Sequence, residues 1–197
     1  MNPLAPKVVI LAGPNGAGKS TSAPKLLRGA LAVDEFVNAD TIAQGLSAFA
    51  PDRVALQAGR IMLTRLAQLA AANNSFGFET TLASRTYAPW LRKLRATGYR
   101  VHLTFLWLSS PDEAVARVAE RVRAGGHDVP EATIRRRYDA GLRNLVQLYV
   151  PLADSWQVLN NSGSGLPSRI AAGSVRGAAK VHDPLTWRAI QEKVYAP

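Results

Sequence analysis

Short apolar runs alternate with longer stretches of helical spacing along this chain, the pattern of a layered α/β fold around a mostly parallel sheet. Five apolar runs read as strands: Val8–Ala12, Glu35–Asn38, Ser75–Glu79, Val101–Leu108 and Ser155–Leu159. The fourth is near-continuously apolar, as a strand covered on both faces is. Between them, Asp52–Ala72 places Val54, Ala58, Ile61, Met62, Arg65 and Leu69 at helical spacing, and Tyr87–Thr97 ends at a capping glycine, Gly98. Ser110-Pro111-Asp112 opens a helix to about Ala124, stopped by Gly125-Gly126. Pro130 starts another, carrying Ile134, Tyr138, Leu142, Leu145 and Leu148. A short hairpin over Arg169–Ala171 and Ala179–His182 precedes a last helix, begun by Asp183-Pro184, in which Trp187, Ile190 and Val194 share a face.

Between the first strand and its helix lies Gly13-Pro14-Asn15-Gly16-Ala17-Gly18-Lys19-Ser20-Thr21, of the form G-x-x-x-x-G-K-[ST]. Glycines let the backbone curl so that several N–H groups face one anion, and the helix start adds its positive dipole end. Lys19 reaches the β- and γ-phosphates, and the Ser20 hydroxyl ligates Mg²⁺. The loop therefore predicts binding of a nucleoside triphosphate. Pro24 falls inside the helix that follows, where it removes the hydrogen bond to the Ser20 carbonyl and predicts a kink.

The chain of 197 residues fits one domain, with a lid region near 117–137 and a C-terminal hairpin and helix near 166–196. It contains no cysteine, which excludes disulfides and thiolate metal sites and suits a reducing compartment. No apolar run approaches the ~20 residues that span a bilayer, and residues 1–7 lack the order of a signal peptide. A soluble cytoplasmic protein without membrane contact is expected. The net charge of +10 admits a nucleic-acid partner or a polyanionic small molecule such as ATP. Its arginines are not interleaved with the aromatics of a single-strand stacking surface, which argues against nucleic acid.

An ABC-type ATPase shares the loop wording but needs an L-S-G-G-Q-like element and an apolar strand ending in Asp-Glu, and GTPases carry N-K-x-D; the chain has none of these. Transfer of a phosphoryl group to a hydroxyl needs a carboxylate at the acceptor and cations over the moving group. Asp40, after the second strand, either orients or deprotonates an acceptor or caps the helix beginning at Thr41. Glu79, Thr80 and Thr81, at the end of the third strand, suit sugar hydroxyls or Mg²⁺ waters, or are ordinary strand-end polarity. Arg117 and Arg121, four apart on one helix face, either lean over the γ-phosphate or pair with Glu113 and Glu120. Gly125-Gly126-His127 is hinge-like, with His127 a phosphate ligand or a helix cap, and of Arg135, Arg136 and Arg137 at most two face the site.

The segments G-P-N-G-A-G-K-S-T, V-N-A-D-T-I-A, F-G-F-E-T-T-L-A-S-R, R-V-A-E-R-V-R-A-G-G-H-D-V-P and R-R-R-Y, in this order over residues 7–150, resemble the zeta-toxin family of P-loop kinases, in its compact chromosomal branch. The resemblance implies a P-loop three-layer sandwich with a parallel five-stranded sheet of order 2-3-1-4-5, nucleoside-kinase-like, with a helical lid. It implies ATP- and Mg²⁺-dependent phosphorylation of a hydroxyl on a nucleotide sugar, typically UDP-N-acetylglucosamine. Asp40 takes the place of the family's base, Lys19 and Ser20 those of the loop lysine and metal-binding serine, and Arg117 and Arg121 those of lid arginines. Glu79 and Thr81, with Arg85 closing their segment, fall in its substrate-binding stretch. A small antitoxin blocking the nucleotide site is the partner the resemblance implies. The residues also admit a polynucleotide or other small-metabolite kinase, or a nucleotide-regulated binding ATPase.

Overall fold

The computed structural model describes residues 5–27, 33–163, 165–175 and 177–195. Of the sequence readings, residues 1–4 of the N-terminal stretch and residue 196 of the last helix lie outside them. The strands are β1 (Lys7–Ala12), β2 (Glu35–Val37), β3 (Phe76–Thr80), β4 (Arg100–Trp107), β5 (Ser155–Asn160), β6 (Ser168–Ser174) and β7 (Gly177–Val181). The helices are α1 (Lys19–Lys25), α2 (Ala39–Leu46), α3 (Ala55–Ala71), α4 (Tyr87–Ala96), α5 (Pro111–Arg123), α6 (Glu131–Asn144) and α7 (Pro184–Tyr195).

All seven strands form one sheet in the order β2-β3-β1-β4-β5-β6-β7. The first five pair in parallel, in the order expected, but the sheet does not end there. The expected five strands become seven because the C-terminal hairpin adds antiparallel to β5. A bulge between Val158 and Leu159 marks where β6 joins. Gly173 leaves space for the Trp156 ring, which a Cβ there would meet at 2.8 Å, and Trp156 stacks on Trp187 of α7 with centroids 5.6 Å apart. Ile190 and Val194 of α7 are buried as their spacing predicts.

The core is made by β1 and β4, whose Val8, Ile10, Leu11, Val101 and Leu106 are shielded on both faces of the sheet. The buried stripe of α3 is Ala58, Met62, Leu66 and Leu69, so Ile61 and Arg65 face outward, and Arg65 pairs with Glu35 of β2 at 3.0 Å. The Pro51–Val54 segment expected to open this helix is a separate 3₁₀ turn. Pro24 lies in the last turn of the seven-residue α1, and a π turn follows at Leu26–Leu27.

At the far end of α6 the helix widens into a π turn over Leu145–Tyr149, which shifts the buried face by one residue. Tyr149 is thereby buried in place of the expected Leu148, and its hydroxyl donates to the Ser84 carbonyl at 2.7 Å. Asn144 donates to the carbonyls of Leu82 and Ala83 at 2.8 and 3.3 Å, and Gly141 backs onto the Thr81 carbonyl where a Cβ has no room. The β3–α4 loop is thus fastened to α6 while Leu82, fully buried, sits at φ 56°. A left-handed leucine costs about 1–3 kcal/mol and persists only where its surroundings over-determine it.

Candidate active site

β1 lies between β3 and β4, so the crossovers leave β1 in opposite directions and open a crevice at the carboxyl ends of the strands. The phosphate loop fills the β1 side. Gly16 and Gly18 adopt φ 78° and 74°, conformations costly for other residues, and Gly13 backs onto the Leu106 carbonyl with no room for a Cβ. Gly18 caps α1 without a side-chain hydrogen bond, which leaves the first-turn N–H groups for a ligand.

Lys19 is buried, donates from Nζ to the Pro14 carbonyl at 2.9 Å, and stands 3.7 Å from Glu79 Oε1. Burial pulls its ammonium below the usual lysine range, while the nearby carboxylates of Glu79 and Asp40 push back and Arg121 adds to the depression. The Ser20 hydroxyl donates to Glu79 Oε2 at 2.8 Å, and Asn38 Nδ2 reaches the same oxygen at 2.9 Å.

The cap of α2 is Asn38. The Asn38 side chain accepts from the Asp40 N–H at 2.8 Å and caps α2, so the Asp40 carboxylate is not the cap. Asp40 instead lines a cavity of about 490 Å³ together with Lys19, Asn15, Asn38, Glu79, Thr80, Thr81, Ser84, Tyr87, Arg136 and Arg137. The sequence brought Lys19, Asp40, Glu79 and Thr81 forward, and the fold places all four on one wall system.

The arginines sort differently from expectation. Arg117 is packed against Gly16, but its guanidinium turns to Glu113 Oε1 and the Gly163 carbonyl, both at 2.8 Å. Burial pushes the Glu113 carboxylate up, but hydrogen bonds donated by Ser162 and Ser109 and the charge of Arg117 outweigh it and hold it below the usual range. Asn161 completes this clasp by donating to the Ala17 carbonyl at 2.8 Å, which braces the back of the phosphate loop. Arg117 in this state is therefore a brace, not a group over the cavity.

Arg121 is held apart from this clasp, and it too is absent from the cavity lining. Its charge is felt at Lys19, its Nη2 donates to the His127 carbonyl at 2.6 Å, and its Nε is buried without a partner. Arg85 is exposed and does not line the cavity. Arg136 and Arg137 line it in Arg85's place, whereas Arg135 pairs outside with Glu131 and Asp112. Burial, with Arg136 adding, lowers Arg137, and Asp40 opposes that shift. The R-R-R run was visible in the sequence, but which members turn inward depends on the α6 rotation that Gly141 and Asn144 set.

Among the described residues no cluster of three or more His, Asp or Glu side chains can hold a metal by itself. The Ser20–Glu79 pair offers two hard oxygen atoms beside the anion cradle, which suits Mg²⁺ bound mainly through phosphates and water. No helix among the described residues is long and apolar enough to cross a membrane.

Fold and loop together define a P-loop nucleotide-binding α/β protein. The chain belongs to the family described as AAA domain, whose model matches residues 8–140. It is 28% identical to an uncharacterised protein of Haemophilus influenzae over 134 residues, 67% of this chain and 92% of that one. Its fold is similar to the crystal structure of AvrRxo1-ORF1:-ORF2 with ATP, with a TM-score of 0.77 and 15% identity over 98% of this chain. The chain spans 65% of the length of that neighbour. It is also similar to a structure of the PezAT chromosomal toxin–antitoxin system of Streptococcus pneumoniae, with a TM-score of 0.67 and 14% identity over all of this chain and 81% of the other. At these identities the likeness is one of fold.

Proposed function

We propose that the protein is an ATP-dependent kinase of a small-molecule hydroxyl, with a nucleotide sugar such as UDP-N-acetylglucosamine as acceptor. The observation that carries this reading is the shared cavity: Lys19 of the phosphate loop and the uncapped carboxylate of Asp40 line one space. Bound ATP with Mg²⁺ would supply the γ-phosphoryl group and neutralise its charge. Lys19 and the loop N–H groups hold the phosphates, and Ser20 with Glu79 holds the metal side.

Asp40 orients the acceptor hydroxyl and takes its proton. The hydroxyl oxygen then bonds to the γ-phosphorus, and the bond to the bridging oxygen breaks to leave ADP. Arg121, whose charge is felt at Lys19, adds positive potential near the moving group. Arg136 and Arg137, for which no ion-pair partner is found among the described residues, supply positive charge where an acceptor diphosphate would lie. Glu79, expected on the acceptor side, serves the metal side in this reading because its hydrogen bonds go to Ser20 and Asn38.

One similar structure pairs AvrRxo1-ORF1 with -ORF2 and another belongs to a toxin–antitoxin system, which supports a protein partner for this chain. The test is incubation of the purified chain with ATP and Mg²⁺ against nucleotide sugars, nucleosides and oligonucleotides, read by mass for the gain of one phosphate. Phosphorylation of a nucleotide sugar supports the reading; ADP formation without any phosphorylated acceptor overturns it.

A further inference from the structure

The α5–α6 turn holds Arg121 in an unusual way. Gly126 donates its N–H to the Arg121 carbonyl at 2.8 Å, and a Cβ on Gly126 would strike Arg121 Cγ at 2.6 Å, so the turn wraps the arginine stem. The guanidinium is held by the His127 carbonyl, with Nε left over. The His127 ring brings Nδ1 to 2.6 Å from Asp52 Oδ1, a close contact that lacks hydrogen-bond geometry. Asp52 belongs to the 3₁₀ turn between α2 and α3, the wall that begins with Asp40. A small cavity of about 40 Å³, bordered by Asp40, Ala43, Gln44, Pro51, Ala55 and His127, lies between His127 and the start of α2.

We propose that His127 is a positioning residue whose ring, set against Asp52, holds Arg121 in place and keeps the two walls in register. This rests on the kinase reading above. One residue thus joins both halves: its backbone oxygen aims the cation, and its side chain grips the acceptor wall. Buried Lys19 cannot swing to compensate, since its ammonium is tied to Pro14 and Glu79. A reacting group displaced by about 1 Å loses up to about a hundredfold in rate.

The test measures ADP release from ATP and Mg²⁺ by the full chain, with UDP-N-acetylglucosamine and with water alone as acceptor. His127→Ala keeps the carbonyl that holds Arg121, so any loss comes through the ring. His127→Ala and Asp52→Asn are each expected to lower kcat about tenfold or more, with KM for ATP within about twofold. The double variant should be no worse than either single one, the mark of a coupled pair. In nitrogen-labelled arginine spectra, ATP should shift the Arg121 Nε signal in the wild type and less in His127→Ala, with unchanged melting temperature. Wild-type kcat in both single variants, or fully additive losses, overturns the latch. If Arg121→Ala is crippled while His127→Ala is not, the latch alone fails; if Arg121→Ala and Asp40→Asn both turn over normally, the kinase reading fails with it.

Discussion

The Ser20 hydroxyl donates to Glu79 Oε2 across 2.8 Å, joining the first turn of α1 to the end of β3. That bond ties the phosphate loop to a carboxylate from the neighbouring strand, and Asn38 from the next strand closes the arrangement. Glu79→Gln keeps the shape but removes the charge. It should raise the Mg²⁺ concentration for half-maximal activity by about 10- to 100-fold, the usual cost of losing a group that supports a metal ligand. A Mg²⁺ titration of ATP turnover checks this, and an unchanged midpoint would return Glu79 to the acceptor.

Asp40→Asn should lower turnover by about 10²–10⁴-fold if the carboxylate takes the acceptor proton, with ATP affinity nearly intact. Because Asn38 and not Asp40 caps α2, the melting temperature should hardly move. Nucleotide titration alongside single-turnover rates separates the two effects.

Asn144→Ala leaves the Leu82 carbonyl without its 2.8 Å donor inside the core. A buried acceptor stripped of its partner costs about 1–3 kcal/mol. The strained Leu82 depends on this bond, so the loop carrying Thr81 and Ser84 should loosen as well. Denaturant unfolding should show the loss of stability, and hydrogen exchange faster protection loss at residues 81–86.

Burial, with Tyr87 adding and Arg85 opposing, pushes the Tyr149 phenol up to about 12, and burial raises Tyr138 in the same sense. An unfolded tyrosine ionises near ~10, so the native state holds its proton more tightly than the unfolded state. The stability this provides is complete below about pH 10 and is lost as pH rises toward 12. Tyr149→Phe removes one titration and should flatten that alkaline slope. It should also cost about 1 kcal/mol near neutrality, because the hydrogen bond to Ser84 is lost. Denaturant midpoints at about pH 8 and about pH 11 measure both.

The sequence by itself determined the parts whose cause is local. The glycine positions of the loop need their own φ values, Lys19 and Ser20 follow from the loop's spacing, and continuous apolar runs mark doubly covered strands. The placement of Asp40 at a strand end was legible for the same reason, whereas the order of the first five strands came only through the family resemblance. What tertiary structure decided depends on rotation and long-range pairing. Arg117 and Arg121 share a helix face, yet Gly163 draws one into a brace while the His127 carbonyl of the α5–α6 turn holds the other. Arg85 stays exposed while Arg137 lines the cavity from α6, which packs on the Thr81 carbonyl. The hairpin's joining of the sheet likewise required the bulge and the Trp156–Trp187 stack, contacts between residues far apart in the chain. Helical periodicity fixes which residues share a side; only packing fixes what that side faces.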